Sequence, residues 1–476
     1  MSHPKLLLLG IDGLCHRVVE HCQKSISLPT LSKLIQGGIS APLRSSLLPT
    51  SGSAWTSIST GVNPGKHGVT GFSRWEMCNG IPQLAGLFTS NNVSTEYFWE
   101  TLDRTAGIRS LVIRVPCTFP ARPFNGAMIV EEDFSIATAF PASLQHILNT
   151  PEHKIQEHWL GEEWENHAAD VIQKTARMTH ALYKETKPDL CFVVFYVLDF
   201  IHHRVGYTSD FFLKLMGLTE QAITSLLNMD DFTDVAVVSD HGMRLFAQQF
   251  LLEAWLLKEG FMMWDKERSC PDWNGTRLFC TPSDIPGNYG KLFINTQLVP
   301  ETHRDSLLSE VRKRLLTPGP DGVPTALEVW DKSEIYSGPF VNSMPDLVFR
   351  TPPSTRVVSM WDNDVALSPE VLTTHPFLNA GCHAREGIFA WHGSNITSQF
   401  LQDGLDVMDV SAFILSRYGV PLPENYDGRV PSSIVQTSKV FSDIGSQPSV
   451  LPKCQGTGEL RDQERIIESL QSLGYM

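Results

Sequence analysis

The chain has 476 residues, 42% hydrophobic and 19% charged, with a formal net charge of -14 at pH 7. This is enough apolar material for one large domain or two to three ordinary ones. The acidic balance excludes a general nucleic-acid binder, which needs a basic surface, but not a small phosphorylated substrate, for which local charge decides.

The chain opens with MSHPKLLLLGIDGLC. The apolar run Leu6 to Leu9 is too short for a secretory signal, and no stretch approaches the ~20 apolar residues of a membrane helix. Nine cysteines, an odd number without a CxxC pair, read as reduced thiols of a cytoplasmic protein. Lys5 to Asp12 (KLLLLGID) is expected to be a buried parallel strand ending in an acid. LPTLSKLIQGG follows, with Leu31, Leu34 and Ile35 at helical spacing and a glycine stop. SGSAWTSISTG, closed by Gly61, reads as a helix entered from a turn, and Arg109 to Val115 as a strand. A helical stretch runs from about Pro151 to Thr186. Asp189 to Asp199 (DLCFVVFYVLD) reads as a strongly apolar strand, Phe211 to Asn228 as a helix, and Asp234 to Asp240 (DVAVVSD) as a strand. The alternation predicts an α/β fold, a mostly parallel central sheet with helices on both faces.

Residues 244–378 are less regular. They hold the helical FLLEAWLLKEGF, the strand GKLFINT, a helix near Arg304 to Leu316 and the strand PDLVFR. They read as an inserted cap within a catalytic domain of residues 1–430, whose main fold resumes at GCHAREGIFAWHG. Residues 431–476 are expected to form a surface tail and then a docking helix, with Ile466, Ile467, Leu470 and Leu473 at helical spacing.

Three of the strands end in aspartate: Asp12, Asp199 and Asp240. Ligands of open α/β sheets sit beyond the carboxyl ends of the strands, so these acids are expected to converge on one crevice. A single strand-end Asp is more often a turn or cap residue. Three together, two of them with histidine partners, reverse that reading. In LDFIHHRVG, His203 stands four residues after Asp199 and shares its helix face; His202, at i+3, is the rival with the poorer fit. Asp240 and His241 adjoin a turn that Gly242 permits. His383, in NAGCHAREG, would read as structural alone but here supplies a further imidazole. Asp/His ligation without thiolate suits zinc or manganese, and more than four such ligands suit two ions about 4 Å apart. The stretch LLPTSGSAWTSISTGVNPGKHG offers hydroxyls at a helix N-terminus, where a phosphoryl group is favoured.

The order GIDG, PTSGSAWTSISTGVNPGKHG, DFIHH, SDHGM, GCHAREG resembles the alkaline phosphatase superfamily, within it the type I phosphodiesterase/nucleotide pyrophosphatase branch. The later segments IYSGPF, PDLVF, YGVPLPENYDGR and LQSLGY also resemble microbial members of that branch. The resemblance implies one metal on Asp199, His203 and His383, and another on Asp12, Asp240, His241 and the nucleophile oxygen. It implies Ser51 as that nucleophile, nine residues before Thr60 of the TG pair, with Thr50 as the adjacent rival. It further implies in-line attack, a phosphoserine species and its hydrolysis by water.

There are departures. Relatives carry an Asn soon after the HG pair to hold a phosphate oxygen; the equivalent here is Phe72. Lys66 and Arg74 are the nearby candidate cations for substrate, and each reads as readily as a surface charge. The sulfatase signature is missing from SGSAW, which lowers sulfate esters. The expected activity is two-metal hydrolysis of a small phosphorylated substrate, of phosphodiester or nucleotide pyrophosphate type, with no membrane partner. Phosphomonoesterase, phosphonate hydrolase and phosphomutase are the alternatives on the same site. A phospho-headgroup transferase is disfavoured by the lack of a membrane segment. An idle binding scaffold is disfavoured by the clustered acids, which such a scaffold has no need to keep. The residues leave zinc against manganese and the oligomeric state open.

Overall fold

The computed structural model describes residues 3–79, 81–131, 137–148, 162–282, 287–319, 322–374, 381–393, 395–437, 441 and 444–451. The elements that build the centre are, in chain order, β1 (Leu6–Ile11), β2 (Ile39–Arg44), α1 (Ser51–Thr60), β3 (Ser110–Ile113), β4 (Gly126–Glu131), β5 (Ala137–Phe140), α2 (Glu162–Thr186), β6 (Leu190–Phe195), α3 (Val197–Val205), α4 (Asp210–Leu227), β7 (Asp234–Val238), β8 (Gly242–Leu245), β9 (Gly381–Ala384) and β10 (Glu386–Gly393).

β1, LLLLGI, is buried at every position. That suits a central parallel strand covered on both faces. It pairs in parallel with β6 on one side and β7 on the other. The sheet runs β2-β10-β7-β1-β6-β3-β4-β5. Its middle is parallel, while β10 runs antiparallel to β7 and β2, and β5 antiparallel to β4. Side chains alternate across the sheet. Leu7 and Leu9 therefore enter an apolar layer with Phe195, Leu215 and Ile223. Leu6 and Leu8 enter the opposite layer with Trp55, Ile58 and Phe413. Each such buried side chain contributes about 2 kcal/mol, and together they hold the strand ends in fixed positions.

A third apolar layer gathers Phe250, Trp255, Phe279, Leu292, Val311 and Phe349. There Tyr289–Ile294 pairs antiparallel with Leu347–Arg350, and the helix Glu301–Leu316 supplies Val311. This segment meets the central sheet region at a bridge between Gly287 and His383.

Some expectations shift. The strand expected to run through Asp199 stops at Phe195, and α3 takes over at Val197, which puts Asp199 in a first helical turn. The helix expected from about residue 151 is seen as Glu162–Thr186, and residues 149–161 lie outside the described residues. In the tail, Ser446–Gln447 pairs with Leu422–Pro423, while the expected terminal helix falls outside the described residues. Among the described residues no helix is long and apolar enough to cross a membrane.

Candidate active site

The parallel order of β7, β1 and β6 sets their carboxyl ends side by side. Asp12 follows β1, Asp240 and His241 follow β7, and α3, which carries Asp199 and His203, follows β6. Gly13 makes this approach possible. Its φ is +71°, and a Cβ there would lie 2.6 Å from Met243 Cε and 2.9 Å from Asp199 Oδ1. Its N–H donates to Asp240 Oδ1 at 3.3 Å. His383 arrives on β9, and Ser51 is the first residue of α1, whose N-cap is Thr50.

Two groupings result. In the first, His203 Nε2 lies 3.0 Å from Asp199 Oδ2 and 2.9 Å from His383 Nε2. His383 Nε2 closes the triangle at 3.4 Å from Asp199 Oδ2. In the second, three oxygens converge on His241 Nε2: Ser51 Oγ at 3.1 Å, Asp240 Oδ2 at 3.2 Å and Asp12 Oδ1 at 3.4 Å. Asp199 also falls within one ligand-sized grouping with Asp12 and His241, so it stands between the two. The rings of His241 and His383 stack with centroids 3.5 Å apart.

The chemistry of these atoms fits cations. Each of the three imidazoles turns Nδ1 to a backbone carbonyl: His383 to Pro49 O at 2.6 Å, His203 to Gly381 O at 3.2 Å and His241 to Gly242 O at 3.2 Å. A carbonyl only accepts, so Nδ1 holds the proton and Nε2 presents a lone pair to the cluster. Two Nε2 lone pairs 2.9 Å apart repel unless a cation lies between them. Ligand atoms around a tetrahedral zinc ion sit roughly 3.3 Å from one another, close to the edges of the first triangle. Asp12 Oδ1 and Asp240 Oδ2 are sealed from solvent and receive no hydrogen bond.

The electrostatics agree. Burial, then the charges of Asp240 and Asp199, push the Asp12 carboxyl well above its usual range. Burial and Asp199 push Asp240 up to about 8. Burial also raises Asp199, while protonation of His203 and His383 would outweigh it and hold that carboxyl well below its usual range. Burial, helped by His241, drops His383 to about 3. Three carboxylates enclosed together are costly without positive charge among them.

The structure brings Asp12, Ser51, Asp199, His203, Asp240, His241 and His383 together. It places the other candidates elsewhere. His202 turns away, its Nε2 3.0 Å from Arg244 O and 3.3 Å from Cys382 O. Gly381 packs so closely on that ring that a Cβ would come within 2.1 Å of His202 Nε2. Thr50 caps α1, accepting from Ser53 N at 3.4 Å. Phe72 is buried among apolar side chains. Lys66 Nζ donates to Asn425 O at 2.8 Å and Asp427 Oδ1 at 2.5 Å. Arg74 pairs with Glu76 and donates to Ala85 O. Neither cation touches the cluster. Sequence reasoning missed Trp55, whose indole N–H donates to Asp12 Oδ2 at 2.9 Å. Its signal was present: Trp55 stands four residues after Ser51 on one helix, so the two share a face.

A family model described as type I phosphodiesterase / nucleotide pyrophosphatase matches residues 6–394. The chain belongs to that family. This family member is therefore a phosphoric ester hydrolase, and its described residues include Asp/His groupings able to hold metal. Its fold is similar to murine ectonucleotide pyrophosphatase / phosphodiesterase 5, solved as an inactive variant with AMP, at 14% identity and TM-score 0.57, over 92% of this chain and 100% of that one. It is also similar to phosphonoacetate hydrolase from Sinorhizobium meliloti 1021, solved with phosphonoacetate, at 14% identity and TM-score 0.57, over 86% and 94%. At such identities the likeness is one of fold. A search among curated proteins gives no match.

Proposed function

We propose that this family member is a two-metal phosphodiesterase with Ser51 as its nucleophile and a small phosphorylated molecule as substrate. The observation that carries the reading is the convergence of Ser51 Oγ, Asp240 Oδ2 and Asp12 Oδ1 on His241 Nε2, all within 3.4 Å, beside the Asp199–His203–His383 triangle. Asp199, His203 and His383 would hold one ion. Asp12, Asp240, His241 and Ser51 would hold the other, with Asp199 between them. Imidazole and carboxylate together favour zinc over manganese. The odd, scattered cysteines support a cytoplasmic location, and residues 244–378, with their own apolar layer, support an inserted cap bordering the site.

Bound ions supply positive charge that favours the ionised Ser51 oxygen and the charge growing on the phosphoryl oxygens. The N-terminus of α1 adds its aligned N–H groups on the same side. Ser51 Oγ, its proton released to solvent, attacks phosphorus opposite the leaving oxygen. The P–O bond to that oxygen breaks, the leaving group takes a proton from water, and a phosphoserine remains. Water then enters from the vacated side and releases it. Trp55 holds the Asp12 carboxylate in orientation throughout. Lys66 and Arg74 are left out of the assignment because protein partners hold them. Without those cations the site suits the single charge of a diester better than the double charge of a monoester.

The test is turnover of bis(4-nitrophenyl) phosphate, 4-nitrophenyl phosphate and phosphonoacetate by the zinc-loaded protein. The diester is expected to be the fastest of the three. Ser51→Ala is expected to reduce its turnover by at least ~10³-fold, by analogy with loss of an activated nucleophile. Thr50→Ala, which removes a helix cap worth about 1 kcal/mol and a hydrogen bond to Thr70 O, is expected to keep it within severalfold. A monoester or phosphonate preference would overturn the substrate class. Turnover kept within severalfold in Ser51→Ala, or a larger loss in Thr50→Ala than in Ser51→Ala, would overturn the nucleophile.

A further inference from the structure

The ribbon of β8 and β9 has a second face. Its register sets Met243 opposite His383 and Arg244 opposite Cys382. Neighbouring side chains on a strand point to opposite faces. His383 projects into the ligand cluster, so Arg244 and Cys382 project from the reverse side. Phe246, just beyond β8, packs on Cys382 there. The guanidinium of Arg356, from the adjacent strand Thr355–Val358, lies over the Phe246 ring at 5.6 Å.

These two half-buried arginines differ from the carboxylate-paired arginines among the described residues. Arg417 meets Asp234 at 2.7 Å, Arg114 meets Glu131 at 2.9 Å and Arg104 meets Glu96 at 2.9 Å. Arg356 Nε is sealed from solvent with no hydrogen-bond partner. Among the described residues no carboxylate acts on its charge; the Cys382 thiol alone does, and burial pulls the guanidinium below its usual range. Arg244 acts on the same thiol and likewise has no carboxylate partner among the described residues. A guanidinium does not give up its proton in a protein. Sealing a guanidinium nitrogen without a counter-charge is costly; Arg356 carries such a nitrogen, and Arg244 stands opposite Cys382, whose thiol both arginines act on.

We propose that Arg244 and Arg356 form a binding site for a phosphate-type oxyanion on the reverse face of the ribbon that carries His383. Two planar forks of N–H donors match the oxygens of such an anion in paired hydrogen bonds. Phe246 fixes the plane of one fork from below. The anion supplies the negative charge that no carboxylate provides on this face. The site stands apart from the metal-ligand cluster, and it does not depend on what that cluster catalyses.

Isothermal titration of the full-length protein with sodium sulfate tests this, with a parallel arm using p-toluenesulfonate, at constant ionic strength. Binding at the catalytic cluster is common to wild type and variants, so their difference isolates the reverse face. Wild type is expected to show a saturable event that Arg356→Met and Arg244→Met each weaken at least tenfold. If the sulfate arm carries that event, the natural ligand is a free inorganic anion. If the sulfonate arm carries it, the ligand is an anion borne on a larger molecule. Either result supports the site. Equal binding by wild type and both variants in both arms overturns it. Should Arg356→Met fail to fold, Arg244→Gln, on the more open arginine, provides the same comparison.

Discussion

Within one turn of α3, two adjacent histidines take different work. His203 joins Asp199 and His383, whereas His202 turns its Nε2 to the carbonyls of Arg244 and Cys382 and pins the ribbon to the helix. His203→Ala is expected to remove about one metal equivalent and nearly all activity. His202→Ala is expected to keep the metal but lose about 1–3 kcal/mol of stability, because enclosed carbonyls lose their donor. Elemental analysis and urea unfolding of both variants check this, and loss of metal from the His202 variant contradicts it. The distinction was legible in sequence because i+4 spacing is a local fact. The partners of Lys66 were not legible. Asp427 lies 361 residues further along the chain, and only the fold brings the two together. Phe72 was legible as a departure, but its burial in an apolar layer was not.

The elements show where the period of the sequence speaks and where it falls silent. β1, β6 and β7 were readable as unbroken apolar runs, with acids directly following β1 and β7. The boundary between β6 and α3 was not, since a buried strand and a buried helix share one apolar stretch and no turn residue marks the join. Strands of two residues within residues 244–378, such as Leu278–Phe279, are too short to carry a period. α1 is enclosed along its whole length and needs internal partners for its hydroxyls. One of them is His67, whose Nε2 lies 3.0 Å from Ser57 Oγ while its Nδ1 accepts from Val69 N. Burial drops this imidazole from 6.5 to about 3. Between those values the unfolded chain takes up a proton that the native chain refuses. Its contribution is therefore complete above pH 6.5 and is lost as the pH falls toward 3, with a slope of about 1.4 kcal/mol per pH unit. The stability difference between pH 6.5 and 5.0 is expected to shrink by about 2 kcal/mol in His67→Gln. An unchanged difference would contradict the assignment.

At the scale of the whole molecule, a chain of net charge -14 encloses three carboxylates beside one another and is proposed to act on anions. Cations at the cluster reconcile those facts. Ligands that bind only the folded state stabilise it by several kcal/mol when present far above their dissociation constant. Chelation is therefore expected to lower the melting temperature by several degrees and to abolish diester turnover, with zinc restoring both. Full activity in chelator, in protein shown to be metal-free, would contradict this. The fold unites the strand ends of the central sheet, the start of α1 and the ribbon of β8 and β9, whose strands, Gly242–Leu245 and Gly381–Ala384, lie far apart in sequence, so the cluster forms only when all of them are in place. Ser51 itself is proposed to take the phosphoryl group. Rapid quench of the zinc-loaded protein with an isotope-labelled diester, followed by mass spectrometry of the peptide from Ser45 to Lys66, tests it most directly. A transient phosphoryl group on Ser51 is expected; one on Thr50, or none at any time during turnover, would rule Ser51 out.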